Sequence, residues 1–284
     1  PVAVIDPGAG PKPAFSRGEL AVLDPRGSVK ARLTALRIAF TEATSLDDLP
    51  QGARVIVVGN DALSPAEATD PRWLALAASG ARILVLEQAS PLRYLAVPAD
   101  LTPTDHGGRV AFAENLEHPV FAGLDQPDFF TWSGDHRVYR NVYRKATRGA
   151  VSLAQCDENL GYSAIVECPV NDGLMLLCQM LVGEKLASDP VAQRLFANML
   201  GYCASYKPVR RSTAVAMAPD SPTLRLLQES GLQFDAVPDA LSGVSDGKHE
   251  IVIFEATAAN LRALADAAEK VRAFTERGGW LVAW

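Results

Sequence analysis

The segment from Glu19 to Leu86 contains, in order, the pieces ELAVL, SVKARLTALRIAF, ARVIVVG, DPRWLALAASG and ARILVL. Their apolar spacing predicts strand, helix, strand, helix and strand. The pieces around Val55–Val58 and Ile83–Leu86 are nearly continuous aliphatic runs, which are typical of parallel strands covered by helices on both faces. The segment therefore predicts an α/β fold with a doubly wound, mostly parallel sheet that begins with Leu20–Leu23.

The same order of pieces returns near the end of the chain. Residues 212–284 contain STAVAMA, SPTLRLLQESGLQF, HEIVIF, LRALADAAEKVRAFTERGG and WLVAW. In this alignment Val55 matches Ile251 and Gly80 matches Gly278. Because a repeat defines the unit of architecture, we expect a truncated second copy of the same α/β unit.

The sequence predicts three parts. Residues 1–18 carry a stretch rich in proline and glycine and predict a linker, residues 19–208 predict the first domain, and residues 209–284 predict a partial second domain. The chain begins at Pro1 without a methionine and stops at Trp284 inside an apparent strand. We therefore expect it to be a piece of a longer protein.

The composition is that of an ordinary folded protein. Hydrophobic residues make up 48% and charged residues 21%, and the net charge of -6 gives no electrostatic basis for binding nucleic acid or an anionic membrane. The longest apolar run, residues 173–182, is too short to cross a bilayer. The four cysteines lack metal-ligand spacing, and no dinucleotide or phosphate-loop motif occurs. We expect unpaired thiols, no metal and no cofactor, and the composition leaves the compartment open.

Local signals also mark two helix starts and one further strand. Asp189 is placed to cap a helix that begins at Pro190, and Ser28 is placed to cap the helix after the first strand. The apolar run Leu174–Met180 predicts a buried strand.

Four segments together resemble a known family. They are LVLEQ at 84–88, HPVFAGL at 118–124, the strand pair around SAIVE and GLMLLCQM, and DPVAQRLFANMLGY at 189–202. The pattern resembles the class I glutamine amidotransferase-like fold, a flavodoxin- or Rossmann-like sheet, over residues 19–206 and, truncated, over 212–284. More narrowly, it is similar to the accessory domains of large bacterial glycoside hydrolases, including family 42 and family 2 β-galactosidases.

The catalytic residues of that family are missing from this chain. Active members place a cysteine on a sharp turn after a strand, between glycines. Here the strand Ile83–Leu86 is followed by Glu87, Gln88, Ala89 and Ser90, and no G-x-C-x-G or G-x-S-x-G motif occurs. The sequence therefore predicts a domain without catalytic residues. Glu87 and Gln88 still follow a central strand, so they form either a helix cap or the remnant of a ligand site.

The richest polar cluster of the chain is the segment from Trp132 to His136. Three interpretations remain open. The segment can be a structural loop, a sugar site in which the ring of Trp132 stacks on the ligand, or a general base in which Asp135 orients His136.

The leading hypothesis is a non-catalytic structural or interaction module of a larger, β-galactosidase-like glycoside hydrolase. Its partners would be other domains of the parent chain or further copies of this chain. The alternative is a hydrolase or a carbohydrate-binding module with a site near Glu87, Trp132, Asp135 and His136.

Overall fold

The computed structural model describes residues 5–6, 10–95, 98–229 and 232–284. The chain is an α/β protein that divides into two compact units, Pro1–Pro208 and Val209–Trp284. Part of the predicted linker, residues 1–4 and 7–9, lies outside the described residues.

The first unit is built on one mostly parallel central sheet that continues into antiparallel strands. The strand order is β2-β1-β3-β4-β9-β8-β7-β5, and β6 pairs with β8. The pairs from β2 to β9 are parallel, and the remaining pairs are antiparallel. The strands are β1 (Leu20–Leu23), β2 (Thr41–Ala43), β3 (Val55–Val58), β4 (Arg82–Val85), β5 (Ala111–Ala113), β6 (Tyr143–Arg144), β7 (Val151–Cys156), β8 (Tyr162–Val170) and β9 (Gly173–Cys178).

The predicted central strands are present with small shifts at their ends. β1 and β3 have the predicted bounds, whereas the predicted strand Ile83–Leu86 is Arg82–Val85 and the predicted strand Leu174–Met180 is Gly173–Cys178.

Helices cover both faces of the central strands. The helices of the first unit are α1 (Ser28–Ala35), α2 (Arg72–Ala78), α3 (Val182–Lys185) and α4 (Pro190–Ser205). One core contains Val57 and Leu84 together with apolar residues of α1 and α4. The other contains Ile56 and Ile83 together with the buried Trp73 of α2. Alternate side chains of each strand enter opposite cores, as the geometry of a strand requires.

The start of α4 confirms the sequence prediction. The Asp189 carboxylate accepts hydrogen bonds from the backbone N–H groups of Val191 and Ala192, at 2.9 and 3.2 Å, and Pro190 is the first helical residue. The predicted apolar stripe, which includes Leu195 and Cys203, is buried. α4 is therefore fixed both by its cap and by its packing.

The start of α1 differs from the prediction that Ser28 caps this helix. Gly27, with a φ of 82°, is the N-cap, and Ser28 is already helical. The Ser28 hydroxyl donates instead to Asn60 Oδ1 at 3.0 Å. The carboxylate of Asp24 accepts the N–H of Lys30 at 3.0 Å and so satisfies the first turn in place of the serine.

The described part of the predicted linker packs on the first unit. Ile5 and Phe15 are partly buried against its core. Pro11 lies so close to Gly201 of α4 that a Cβ added there would come within 2.5 Å of the proline ring.

The second unit contains a smaller, fully parallel sheet. Its strands have the order β11-β10-β12-β13, and the helices lie between them in sequence. The elements are β10 (Thr213–Ala216), α5 (Pro222–Glu229), β11 (Asp235–Ala236), α6 (Ala240–Ser245), β12 (Ile251–Phe254), α7 (Ala258–Asp266), α8 (Ala268–Glu276) and β13 (Trp280–Ala283). Across this sheet, the second strand in the sequence of the unit lies first, followed by the first, third and fourth strands. The strands β2-β1-β3-β4 of the first unit have the same order.

Helices pack on one face of this smaller sheet. Phe254 and Val252 of β12 pack with Leu264 of α7 and Phe274 of α8. β13, one of the two edge strands of this sheet, is largely exposed. That the second unit is a truncated copy of the first remains a prediction.

Limited trypsin digestion tests the division into two units. We expect cleavage after Arg210 and Arg211, because these residues are exposed and the neighbouring Val209 is 94% exposed. We also expect the fragment that begins at residue 211 or 212 to be degraded first, since its outermost strand is poorly buried. Mass spectrometry of the fragments over time gives the result. Equal survival of both fragments would contradict this prediction.

Candidate functional site

Buried polar residues collect at the carboxyl ends of the parallel strands in the first unit. Asp24 follows β1, Asn60 lies just beyond β3, Glu87 and Gln88 lie just beyond β4, and Gln179 follows β9. All five are at most 9% exposed. Open α/β sheets bind their ligands at this edge, so these residues define the candidate site.

Glu87 binds the first turn of α3 with both carboxylate oxygens. Oε2 accepts the N–H of Gly183 at 2.9 Å, and Oε1 accepts the N–H of Glu184 at 2.6 Å. Burial raises the pKa of Glu87 to about 8, although these two hydrogen bonds favour the ionised form. This is the arrangement that the helix-cap interpretation predicts.

Asp24 has the same role two strands away, at the end of β1. One of its oxygens accepts the N–H of Lys30 in the first turn of α1, and the other is buried against Gly59. A Cβ at Gly59 would lie 2.5 Å from that second oxygen, so any larger residue there would force the Asp24 carboxylate to move. Helix N-termini at this edge are where α/β proteins commonly bind phosphates and other anions. In this chain the protein's own carboxylates occupy both positions.

Gln88 connects the strand ends through every polar group that it has. Its side-chain oxygen accepts the N–H of Leu63 at 2.9 Å, and its side-chain nitrogen donates to the carbonyls of Gly59 and Leu86 at 2.6 and 2.8 Å. Its backbone N–H donates to Gln179 Oε1 at 3.1 Å, and its carbonyl accepts from Asn141 at 3.0 Å. Gln88 therefore holds neighbouring loops together.

Trp132 belongs to the core of the first unit. Its side chain packs in the same cluster as α4, and the residue is only 2% exposed. The indole N–H donates to the carbonyl of Asp128 at 2.8 Å. In this conformation the ring offers no face on which a sugar could stack.

The sequence did not single out Lys185, which organises the loop after Trp132. Lys185 is 4% exposed, and its ammonium group donates to the carbonyls of Ser133 and Arg137 at 2.7 and 2.8 Å and to Asp135 Oδ1 at 2.8 Å. The hydrogen bond from Lys185 is the main reason that the pKa of Asp135 is lowered. No local motif marks this lysine, because all three acceptors are about fifty residues away in sequence.

The structure does not bring Glu87 and His136 together. His136 is exposed and has a φ of 63°, whereas Glu87 is buried beneath α3. Among the described residues, no hydrogen bond joins His136 to Glu87 or to Asp135. The carboxylate of Asp135 is directed instead to Lys185 and to the N–H of Arg137.

Two cavities of the first unit lie away from these residues. One of about 660 Å³ lies at the amino ends of β3 and β4 and includes Arg54 and Arg82 in its lining. Another of about 580 Å³ includes Arg144 and Tyr162 in its lining. Neither cavity is lined by any of the site residues that the sequence predicts, which are Glu87, Gln88, Trp132, Asp135 and His136.

The described residues contain no group of three or more histidine, cysteine or acidic side chains placed to hold a metal ion. The four cysteines are free and buried, as the sequence predicts, and burial raises the pKa of Cys156 and Cys168 to about 12. Within the described part of the chain, no helix has the length and apolar character that a membrane span needs.

No protein-family model matches this chain, and no curated protein matches it. Similar solved structures include a GMP synthase-like protein from Thermoplasma acidophilum, with 15% identity, a TM-score of 0.45, and coverage of 66% of this chain and 94% of that one. A cold-adapted β-galactosidase from Rahnella sp. R3 shows 13% identity and a TM-score of 0.41, with coverage of 64% and 30%. An exo-β-1,4-mannosidase from Opitutaceae bacterium strain TAV5 shows 11% identity and a TM-score of 0.41, with coverage of 69% and 37%.

These likenesses are loose, and all three TM-scores are below 0.5. The matched region is nearly the whole of the GMP synthase-like protein but only about a third of each glycosidase chain. No conclusion about the function of this chain rests on them.

The raised pKa of Glu87 predicts a pH-dependent stability. Between the ordinary value of 4.5 and the folded value of about 8, the folded state holds a proton that the unfolded state has released. Stability from this group is therefore full below pH 4.5 and is lost as the pH rises through 8, by at most about 1.4 kcal/mol per pH unit.

Urea unfolding between about pH 5 and about pH 8.5 measures this slope. We expect Glu87→Gln to reduce the slope, because the substituted side chain cannot titrate. Glu184→Gln is the matched control, since the Glu184 side chain is 40% exposed and paired with Arg140. An unchanged slope in Glu87→Gln would show that other groups cause the pH dependence.

The hydrogen bonds of Lys185 predict a large loss of stability on substitution. We expect Lys185→Met to lower the free energy of unfolding by about 2–4 kcal/mol, because two carbonyls and one carboxylate lose a charged donor. Lys30→Met is the control, since its ammonium group pairs with the largely exposed Glu42 and the pair should contribute less than about 1 kcal/mol. Similar losses in both variants would contradict the role given to Lys185.

Proposed function

We propose that this chain is a non-catalytic structural and interaction module of a larger carbohydrate-active enzyme, a β-galactosidase-like glycoside hydrolase. One observation carries the non-catalytic part of the proposal. At the strand end where active amidotransferase-like proteins place their nucleophile, this chain has the buried carboxylate of Glu87 bound to the first turn of α3.

The Glu87 carboxylate already binds the backbone N–H donors that catalysis at this strand end would need. A nucleophile must be reachable by substrate, and the negative charge that develops on the substrate needs free N–H donors nearby. Glu87 is 3% exposed, and the N–H groups of Gly183 and Glu184 already bind its oxygens. Substrate therefore finds neither a reachable nucleophile nor unoccupied donors at this strand end.

The proposed architecture is a doubly wound amidotransferase-like domain at residues 19–208, followed by a truncated copy at 209–284. The shared strand order of the two sheets supports the copy, and the two cores of the first unit support the double winding. The link to carbohydrate enzymes comes from the sequence resemblance of the segments around LVLEQ, HPVFAGL and DPVAQRLFANMLGY. The paired carboxylates of glycoside hydrolysis would then belong to another domain of the parent chain.

The geometry gives less support to a hydrolase or sugar-binding site near Glu87, Trp132, Asp135 and His136. The indole ring of Trp132 is buried, and the Asp135 carboxylate is bound to Lys185. A site there would require the loop to leave Lys185, at the cost of an unpaired buried ammonium group.

An activity screen tests the proposal. We expect the purified chain to show no turnover of glutamine, of simple esters or of aryl β-galactosides and β-mannosides, because Glu87 is buried and the two N–H donors beside it are already occupied. A Glu87→Ala, His136→Ala double variant is assayed in parallel. Turnover in the original chain that disappears in the variant would overturn the proposal and favour the hydrolase. Equal turnover in both would indicate a contaminating enzyme and leave the expected result in place.

A further inference from the structure

The cavity of about 580 Å³ in the first unit is surrounded mainly by polar residues. It lies beside the short strand β6 and the turn that connects β7 to β8. Its volume is within the range of roughly 300–1,000 Å³ that ligand sites occupy. Pockets for drug-like molecules are mainly apolar, whereas most side chains around this cavity carry hydrogen-bonding groups. The cavity therefore suits a ligand with many polar groups.

Four of the residues around this cavity have polar groups that the protein itself does not use. These groups are the Arg144 guanidinium, the Glu158 carboxylate, the Asn159 amide and the Tyr162 hydroxyl. Among the described residues, none of the four groups takes part in a hydrogen bond or an ion pair. Unused donors and acceptors that converge on one cavity are typical of a ligand site.

The larger cavity of the first unit, of about 660 Å³, differs in this respect. Its two arginines already have partners within the protein. Arg54 pairs with Glu19 at 3.4 Å, and Arg82 donates to the carbonyl of Tyr206 at 3.2 Å. The smaller cavity is therefore the stronger candidate for binding a ligand.

The turn that carries Glu158 and Asn159 has a backbone that residues other than glycine rarely adopt. Asp157 has a φ of 62° and a ψ of −163°, and Asn159 and Leu160 have φ values of 53° and 54°. Such conformations are costly, and they persist only where the surrounding contacts impose them. They are concentrated at sites that hold ligands, so their position at this cavity agrees with a binding role.

Asp157 and His106 supply the contacts that impose this conformation. Asp157 Oδ1 accepts the N–H of Glu158 at 2.8 Å, and Asp157 Oδ2 lies 2.5 Å from His106 Nδ1. The His106 ring in turn packs against the ring of Tyr162, with the centroids 4.6 Å apart. One chain of contacts therefore holds both the turn and the tyrosine in place. The cavity is preorganised, which reduces the entropic cost of binding.

We propose that this cavity binds a neutral carbohydrate, either a single sugar ring or a short oligosaccharide. The formal charges around the cavity cancel, because it contains two cations, Arg144 and Lys145, and two carboxylates, Asp100 and Glu158. This balance disfavours an inorganic anion or a metal ion as the ligand. Sugar hydroxyls both donate and accept hydrogen bonds, so they are able to use free donors and free acceptors at the same time.

The four unused groups match the parts of a sugar ring. The planar guanidinium of Arg144 is able to donate to two neighbouring hydroxyls, and the carboxylate of Glu158 accepts from others. The Asn159 amide both donates and accepts. Tyr162 offers apolar ring surface for the C–H groups of the sugar and a hydroxyl for hydrogen bonding.

The other two charged residues shape the cavity and do not bind the sugar. The Lys145 ammonium group is paired with Glu114 at 2.9 Å. The Asp100 carboxylate accepts the N–H of Thr147 at 3.0 Å and that of Arg148 at 3.3 Å. Both groups are therefore satisfied before a ligand arrives.

This site does not rest on the function proposed above. The cavity lies away from Glu87 and its neighbours, and the sugar is bound there without being cleaved. Absence of sugar binding would leave the result of the activity screen unchanged, and turnover in that screen would leave sugar binding unchanged. The two proposals can therefore fail separately.

A binding assay on the intact chain tests the proposal. Ligand-observed NMR and calorimetry are carried out with the neutral disaccharides lactose, cellobiose, mannobiose and maltose. Galacturonic acid, inorganic phosphate and triserine serve as probes of other ligand classes. We expect at least one neutral disaccharide to bind, and to bind more tightly than these three probes. Binding of no disaccharide, or tighter binding of any of the three other probes, would overturn the proposal.

Substitutions in the lining locate the bound sugar. We expect Arg144→Ala and Asn159→Ala each to weaken the binding by about tenfold or more, because each removes hydrogen bonds to the sugar. Arg144→Lys keeps the charge but loses the planar fork, so it should also weaken the binding. Arg109→Ala is the matched control, since Arg109 is exposed and lies outside the lining.

The thermal unfolding profile of each variant is recorded in parallel. We expect it to be unchanged, because the substituted side chains are exposed and unpaired. If Arg144→Ala unfolds at a lower temperature, Arg144→Lys and Asn159→Ala decide the outcome. Full affinity in both of these variants, or the same loss in Arg109→Ala, would show that the sugar binds elsewhere and would overturn the proposal.

Discussion

The contact between the Glu87 carboxylate and the first turn of α3 fixes the carboxyl ends of the central parallel strands, and the first unit depends on this contact. It joins the end of β4 to the segment that follows β9, nearly a hundred residues later. The two strands are adjacent and parallel. The contact therefore holds together the loops that follow the last hydrogen bonds between these strands. A buried carboxylate is costly, and the two backbone donors offset part of that cost.

Similar contacts occur at other strand ends on the same side of the sheet. Asp24 binds the first turn of α1, and Gln88 connects the loops after β3, β4 and β9. Lys185, immediately beyond Glu184, holds the loop from Ser133 to Arg137 from inside. In a ligand-binding α/β protein these donors and acceptors would face the ligand. Here Glu87, Gln88 and one oxygen of Asp24 are bound by groups of the protein itself, and these contacts contribute to stability.

The sequence predicts the elements well and their polar connections poorly, for a physical reason. β1, β3 and the start of α4 follow from apolar runs and a local cap, which are contained in a few consecutive residues. Ser28 has a good capping side chain, but a carboxylate several residues before it reaches the helix instead. Lys185 has no local signal at all, because its partners are brought near only by the fold. Short-range patterns define elements, whereas the chemistry of the site depends on long-range contacts.

The two sheets also show why the same strand order can leave very different surfaces. In the first unit the fourth strand in the order, β4, is followed by β9, and its residues are almost fully buried between two cores. In the second unit the corresponding strand, β13, is the last of the described sheet and keeps the apolar composition of an interior strand. The burial of a strand thus depends on what pairs with it and what packs on it. β4 has strand partners on both sides and a core on each face, whereas β13, among the described residues, has a strand partner on one side only.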